Sequence, residues 1–452
     1  MLTRIVVKNF LSIGEELDFN LLPYPKIKRH NNHIYELGSI DVLKATAIYG
    51  ANGAGKSNLV KAAELLHDIA TYREMTISKL SNIAFKLNQN AESVPTTLEI
   101  EFQKNATLFS YGVDILDGGI IEEWLVEIFP KENRETCLFR RYINEEGDTT
   151  IDASPQWVQT EKDRVLLEVY QEEVLDETQS LLSLLGKGGK YPQLKEAYDW
   201  FIDDLYIIFP HSKYVGLIGR ILEDENFRSL TNEIISKLDT GVDAVKVEEV
   251  PVGIFFGHDD EAILKDLTRE LDETPQVLFG LDDGMFLLER GEDGSIFVKK
   301  IMTEHRAQDG SRYQFELNDE SDGTIRLFDL IPLLESTLSG DKTIIIDEIG
   351  RSLHPSLLKE FMHLFLSRET SGQMIFTTHE SHLLDLNLFR QDEIWFAEKD
   401  QGGNTKMYPL SDFKPRYDLN IRKGYLQGRF GAIPFLADLS QLSFTESDAK
   451  EE

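Results

Sequence analysis

Residues 2–20 alternate apolar and polar positions around Ile5, Val7, Phe10, Ile13, Leu17 and Phe19, with turn chemistry at Ser12-Ile13-Gly14. That period of two predicts a β-hairpin at the start of the chain. A polar stretch over 28–33 separates it from 42–49, a short apolar run of buried-strand character. Leu59, Val60, Ala63, Leu66, Ile69 and Ala70 then recur at helical spacing, so the order is strand, Gly-rich loop, helix. Alternation returns over 95–143 and predicts an antiparallel meander. Between about 160 and 248 the pattern, including 198–208, reads as helical, with breaks at 186–192 and at Pro210. Strands resume over 276–317, and 320–398 alternates helix and strand in α/β fashion. There is no sustained heptad and no internal repeat.

At 452 residues the chain is about three times a ~150-residue domain, so two domains or one large domain with an insertion are expected. Its formal charge of −32 argues against a protein that coats nucleic acid by neutralising phosphates, so any such contact must be local. The single cysteine, Cys137, excludes an intramolecular disulfide and any multi-Cys metal site, and is expected to be a small buried hydrophobe. The apolar run at the N-terminus is too short for a signal peptide, and no run of 18 uncharged apolar residues occurs. A cytoplasmic protein with no membrane partner is expected.

Gly50-Ala51-Asn52-Gly53-Ala54-Gly55-Lys56-Ser57 fits the phosphate-binding pattern G-x-x-x-x-G-K-[ST] without mismatch, in the strand–helix context that pattern requires. Asn52, Gly53 and Gly55 would turn backbone N–H groups inward. Lys56 would reach the β/γ-phosphates and Ser57 would hold Mg²⁺. Thr343-Ile344-Ile345-Ile346-Asp347-Glu348 supplies a second buried strand ending in two acids, Asp347 for the metal and Glu348 for the attacking water. A third strand, Met374-Ile375-Phe376-Thr377-Thr378, ends in His379, at the edge where ligands bind in doubly wound folds. Ser321 and Gly323 stand at the start of an amphipathic helix through Leu327, Leu330, Ile331 and Leu334, where a hydroxyl and backbone N–H groups could meet a phosphate or simply cap the helix. His30, His33 and His258 with Asp259 and Asp260 complete no coordination set and are expected in solvated loops.

Together these motifs resemble the ABC-type ATPase heads of the structural-maintenance, Rad-fifty and RecF group. Asn9-Phe10-Leu11-Ser12-Ile13 is similar to that group's first strand, and 50–58 to its Walker A with a trailing Asn58. Residues 320–326 are similar to the signature, 344–348 to Walker B, Ser352-Leu353-His354-Pro355 to the D-loop, and Thr378-His379 to the switch histidine. The Q-loop equivalent is expected between Phe85 and Thr97, where Gln89 is one candidate. Glu320-Ser321-Asp322-Gly323-Thr324, Leu353-His354-Pro355 and the run 425–434 further resemble bacterial anti-phage ATPases of the AbiL and RloA type, with relatives in the PARIS and Septu systems.

The resemblance implies an α/β P-loop NTPase of ABC-ATPase head type with an antiparallel β subdomain and a helical insertion. Its expected divisions are an N-terminal ATPase lobe over 1–154, the helical insertion over 155–250, a C-terminal ATPase lobe over 251–400 and a family-specific extension over 401–452. It also implies ATP with Mg²⁺, bound by Asn52, Gly53, Gly55, Lys56, Ser57 and Asn58 of one subunit and by Ser321 and Gly323 of another, in an ATP-dependent homo-oligomer. A separate nuclease or toxin effector, Toprim-like or HNH, and a phage-derived trigger are implied as partners. A RecF-like repair ATPase binding duplex DNA is the alternative, and direct nucleic-acid contact stays open. A nuclease built on Asp259-Asp260 or Asp282-Asp283 is disfavoured, because acidic pairs are expected in a chain with 79 acids.

Overall fold

The computed structural model describes residues 1–433 except 73–74, 89, 239, 257–260 and 282–283. Gln89, His258, Asp259, Asp260, Asp282, Asp283 and Pro434 lie outside the described residues. The centre is a six-stranded sheet in the order Leu205–Ile208, Thr343–Ile346, Gln373–Thr378, Ala45–Tyr49, Ile394–Lys399, Thr405–Pro409. The first five strands are parallel and the last is antiparallel. Parallel strands covered on both faces need apolar residues at successive positions, and Thr343–Ile346, Gln373–Thr378 and Ala45–Tyr49 are buried throughout.

The pleat sends alternate residues to two cores. Ile48, Ile345, Ile375 and Trp395 face a core shared with the helix Lys56–Thr71 and with a seven-stranded antiparallel sheet. That sheet runs Thr149–Ala153, Arg134–Ile143, Gly119–Phe129, Thr107–Leu116, Thr96–Lys104, Leu2–Lys8, Leu17–Asn20, so the expected hairpin and meander belong to one layer. Ala47, Tyr49, Ile344 and Ile346 face the second core with the helices Asp322–Ser339 and Pro355–Ser367. Residues 327–334 are buried at every position, so the helix expected to be amphipathic is covered on all sides there. A five-stranded sheet packs beside it, built from Val242–Pro251, Ile296–Arg306, Gly284–Arg290, Gln276–Leu281 and Arg312–Glu316.

Several local expectations are corrected. Residues 198–208 do not form one helix. The chain turns at Trp200–Asp204 and enters the core sheet at Leu205–Ile208, because the Leu-Tyr-Ile-Ile run pairs with Thr343–Ile346. The interval 155–250 therefore contains a core strand and ends in the strand Val242–Pro251. Cys137 is exposed rather than buried; a bulge between Leu125 and Val126 shifts the alternation, so Leu138 and Phe139 both turn inward. His33 is buried, 3.0 Å from the Glu393 carboxylate, and His30 stacks on it with Nε2 3.0 Å from the Leu386 carbonyl oxygen, so neither sits in a solvated loop.

Gln373 ties the two large sheets together. Its Oε1 accepts from Leu2 N at 2.8 Å and from the Thr343 hydroxyl at 3.3 Å, and its Nε2 donates to the carbonyls of Leu2 and Leu43 at 3.0 and 2.9 Å. The side chain is fully buried, so each partner left behind loses a bond that water cannot replace. Gln373→Leu is expected to cost about 3 kcal/mol. Chemical denaturation checks this; a loss below about 0.5 kcal/mol would contradict the bridge.

Candidate nucleotide-binding site

The expected residues gather where the parallel strands end, the edge at which doubly wound sheets bind ligands. After Ala45–Tyr49 the chain turns through 50–55 into the helix Lys56–Thr71, with Gly53 and Gly55 at φ 77° and 100°. Gly55 is required twice over. Its backbone is left-handed, and a Cβ there would lie 2.8 Å from the Ser12 hydroxyl and overlap the Thr405 hydroxyl. Asn52 and Gly53 are exposed at the tip of the loop.

Lys56 is buried, and its Nζ donates to the carbonyls of Gly50 and Ala51 at 2.9 and 3.2 Å. It also lies 3.1 Å from His379 Nε2. Burial pulls the Lys56 ammonium down to about 8, against the opposing pull of Asp347 and Glu348. Burial and the Lys56 charge hold His379 below its ordinary value, so a neutral ring accepts the Lys56 proton donor at Nε2.

Asp347 is buried, and its Oδ1 accepts from Ser57 Oγ at 3.1 Å and from Thr377 Oγ1 at 2.6 Å. The Thr377 hydroxyl in turn accepts from Glu348 N at 2.8 Å. Glu348 sits at φ 52°, and its carboxylate is 3.9 Å from His379 Nε2. Thr377 thus orients both acids, a role that strand patterning does not reveal. The residues fit a phosphate chain with Mg²⁺: a glycine loop, a buried ammonium, and a hydroxyl beside a carboxylate.

A second set braces the loop, with Thr405 a member that no sequence motif marks. Asn58 Nδ2 donates to Ser12 Oγ at 2.7 Å, Ser12 Oγ lies 2.7 Å from Thr405 Oγ1, and Thr405 Oγ1 donates to the Ala54 carbonyl at 3.0 Å. The donors fall in one direction along this chain, so each hydroxyl both accepts and donates. Asn58, expected at the nucleotide, has its amide turned toward Ser12. Asn404 Oδ1 accepts from Gly14 N at 2.6 Å, fixing the strand end from the other side.

Ser321 caps the helix Asp322–Ser339, accepting from Thr324 N at 3.2 Å, and is exposed. A Cβ on Gly323 would lie 2.7 Å from the Ser352 carbonyl oxygen, so glycine allows the signature-like turn to press on the D-loop-like turn. Glu320 accepts from the Thr303 hydroxyl and lies 2.6 Å from His305 Nε2. The contacts of this turn run to Thr324, Ser352 and the five-stranded sheet.

A Gly-rich loop between a buried strand and a helix, with paired acids at the end of another strand of the same parallel sheet, defines a P-loop NTPase, here packed on a seven-stranded antiparallel sheet. Residues 45–385 match the family described as "AAA domain, putative AbiEii toxin, Type IV TA system", and the chain belongs to that family. No curated protein matches the sequence. Solved structures similar to it include an Smc head bound to the C-winged helix domain of ScpA, 13% identical over 92% of this chain and 99% of that one, with a TM-score of 0.41. An SMC head domain from Thermotoga maritima is 13% identical over 90% and 98%, with a TM-score of 0.35. An Smc head with an extended coiled coil, bound to the C-terminal domain of ScpA derived from Pyrococcus furiosus, is 14% identical over 91% and 97%, with a TM-score of 0.39. Among the described residues no helix is long and apolar enough to cross a membrane.

Because Lys56 falls to about 8 from 10.5, the unfolded chain holds more protons than the folded one between those values. Its contribution to stability therefore rises with pH across that window and is a full penalty below it. Lys56→Met is expected to melt higher than the parent at pH 7 and to lose that advantage by about pH 10. An unchanged pH dependence of melting would contradict the buried-ammonium assignment. Thr377→Val is expected to fold and to lower Mg²⁺-dependent nucleotide affinity or turnover by about 10- to 100-fold, as lost orienting partners do. Unaltered magnesium dependence would show that Asp347 holds its position without Thr377.

Proposed function

We propose that the protein binds ATP with Mg²⁺ and hydrolyses it at a site completed by a second copy. In this reading the cycle controls a separate nuclease or toxin effector, of Toprim-like or HNH type, in cytoplasmic anti-phage defence of the AbiL and RloA kind, set off by a phage-derived trigger. The observation that carries the composite site is the signature-like turn. Ser321 is exposed at the start of the 18-residue helix Asp322–Ser339, and Gly323 packs on Ser352, so a hydroxyl and the positive end of a helix dipole stand at the surface beside the D-loop-like turn. The family description, with its toxin–antitoxin assignment, supports the defence setting.

Each residue then has one task. The loop N–H groups and Lys56 bind the phosphate chain, and Ser57 with Asp347 holds the metal. When bound, Mg²⁺ offsets the charge that develops on the phosphate oxygens. Glu348 orients the attacking water and takes its proton, and neutral His379 stands beside it, able to hydrogen-bond a phosphate oxygen through the tautomer it adopts. Ser321 and Gly323 of the second copy close the site, so assembly and turnover are linked.

Glu348→Gln is expected to retain ATP binding, lower hydrolysis at least about 100-fold and accumulate an ATP-held oligomer that co-purifies with its effector. Hydrolysis at the parent rate would overturn the catalytic assignment, and recovery of DNA without a protein partner would overturn the effector reading. Ser321→Arg should block ATP-dependent assembly while melting like the parent. Parent-level ATPase per subunit in that variant would refute the composite site.

A further inference from the structure

Glu320 stands just before Ser321, and its side chain is turned into the protein, 8% exposed. Two groups of one strand hold it there. The Thr303 hydroxyl, fully buried on Ile296–Arg306, donates to Glu320 Oε1, and His305 Nε2 lies 2.6 Å from the same oxygen. A carboxylate oxygen accepts, so this ring nitrogen carries the proton. The ring is fixed in turn by Phe315, edge-on at 5.1 Å between centroids, and Phe315 belongs to Arg312–Glu316, the strand that leads into the turn. From there the path to the helix is short: Glu320 N donates to the Leu317 carbonyl at 3.2 Å, and Ser321 caps the helix Asp322–Ser339.

A carboxylate beside Ser321 is a liability in the proposed site. The Ser321 hydroxyl and the helix start are to meet the phosphates of a nucleotide on the second copy, and a like charge one residue away opposes that approach. How strongly it opposes depends on where the carboxylate points and what it is bonded to. Thr303 and His305 turn it onto the sheet and set two donor hydrogens against its charge. Positions 303 and 305 share one face because side chains alternate along a strand, so a single strand supplies both donors. Of the two, His305 is the one at the surface, with its side chain 27% exposed, and it can be replaced without opening the core.

We propose that His305 is a positioning residue for the composite ATPase site: it holds Glu320 against the five-stranded sheet, so that Ser321 and Gly323 meet the second copy's nucleotide without a competing carboxylate. The proposal rests on the composite site of the proposed function. His305 acts through Glu320 and not on the nucleotide.

The test compares three variants of the full chain. His305→Ala removes the ring, His305→Phe keeps the contact with Phe315 but has no donor, and His305→Gln can donate from the same place. Ala and Phe are expected to lower kcat and ATP-dependent assembly about tenfold, while ATP affinity of subunits dilute enough to stay apart remains within about twofold of the parent. Gln is expected to recover both to within about threefold of the parent. Neutralising the carboxylate should make His305 dispensable: in a Glu320→Gln background, His305→Ala should cost less than about a further threefold. Parent assembly and turnover in His305→Phe, an equal loss of affinity in the dilute subunits, an equal loss in the Glu320→Gln background, or no recovery with His305→Gln would each overturn the proposal. Ser321→Arg is assayed beside them. Parent-level ATPase in that variant refutes the composite site itself, whereas its inactivity beside an unaffected His305→Phe refutes only the role of His305.

Discussion

One carboxylate oxygen holds the candidate nucleotide site together. Asp347 Oδ1 accepts from Ser57 and from Thr377, so the P-loop helix and two neighbouring parallel strands share a single acceptor. The strand ending in Thr378 lies between the P-loop strand and the strand that leads into Asp347, and its Thr377 hydroxyl reaches both Asp347 Oδ1 and Glu348 N at the end of the latter. The sheet's register fixes these positions: Ile346 pairs with Phe376 and Thr377 with Ile48, which brings three strand ends level. A buried acid held by two hydroxyls is oriented before any ligand arrives, and orientation prepared in advance is what a metal site requires.

The C-terminal segment belongs to this edge. Thr405 closes the chain of hydroxyls that supports the loop, and it is placed by the antiparallel pairing of Thr405–Pro409 with Ile394–Lys399. Phe396 on the latter strand stacks with Tyr425 and Phe430, at 5.5 and 5.7 Å between ring centroids, and Tyr425 meets Tyr49 edge-on at 6.1 Å. The run from 425 onward thus packs behind Tyr49, the last residue of the P-loop strand.

What the sequence reveals follows the range of the interaction. Lys56, Ser57, Asp347, Glu348 and His379 each stand in a local pattern of strand followed by chemistry, and the structure brings all five together. Thr377 lies within a strand run that says nothing of its hydroxyl, and Ser12 and Thr405 meet across 393 residues of chain, which no local pattern records. Leu205–Ile208 has no local mark of a strand, because four apolar residues fit a strand or a helix end equally well until the partner strand Thr343–Ile346 is known. Cys137 was misplaced by a bulge, a feature that inverts alternation without changing composition. His33 was misplaced because Glu393, its partner, is 360 residues away. The fold class was open to reading for the opposite reason: buried parallel strands and a glycine loop carry their signature in consecutive residues.

The central claim is that one chain supplies the P-loop and another supplies Ser321 and Gly323 to the same nucleotide. Mixing subunits tests it most directly. Lys56→Met and Ser321→Arg proteins, each inactive alone, are combined and assayed for ATP hydrolysis. In a dimer with shared sites, a mixed pair contains one intact P-loop facing one intact signature turn, so the mixture should recover about a quarter of parent activity. A mixture that stays inactive, although both variants fold and combine into mixed dimers, would contradict the account.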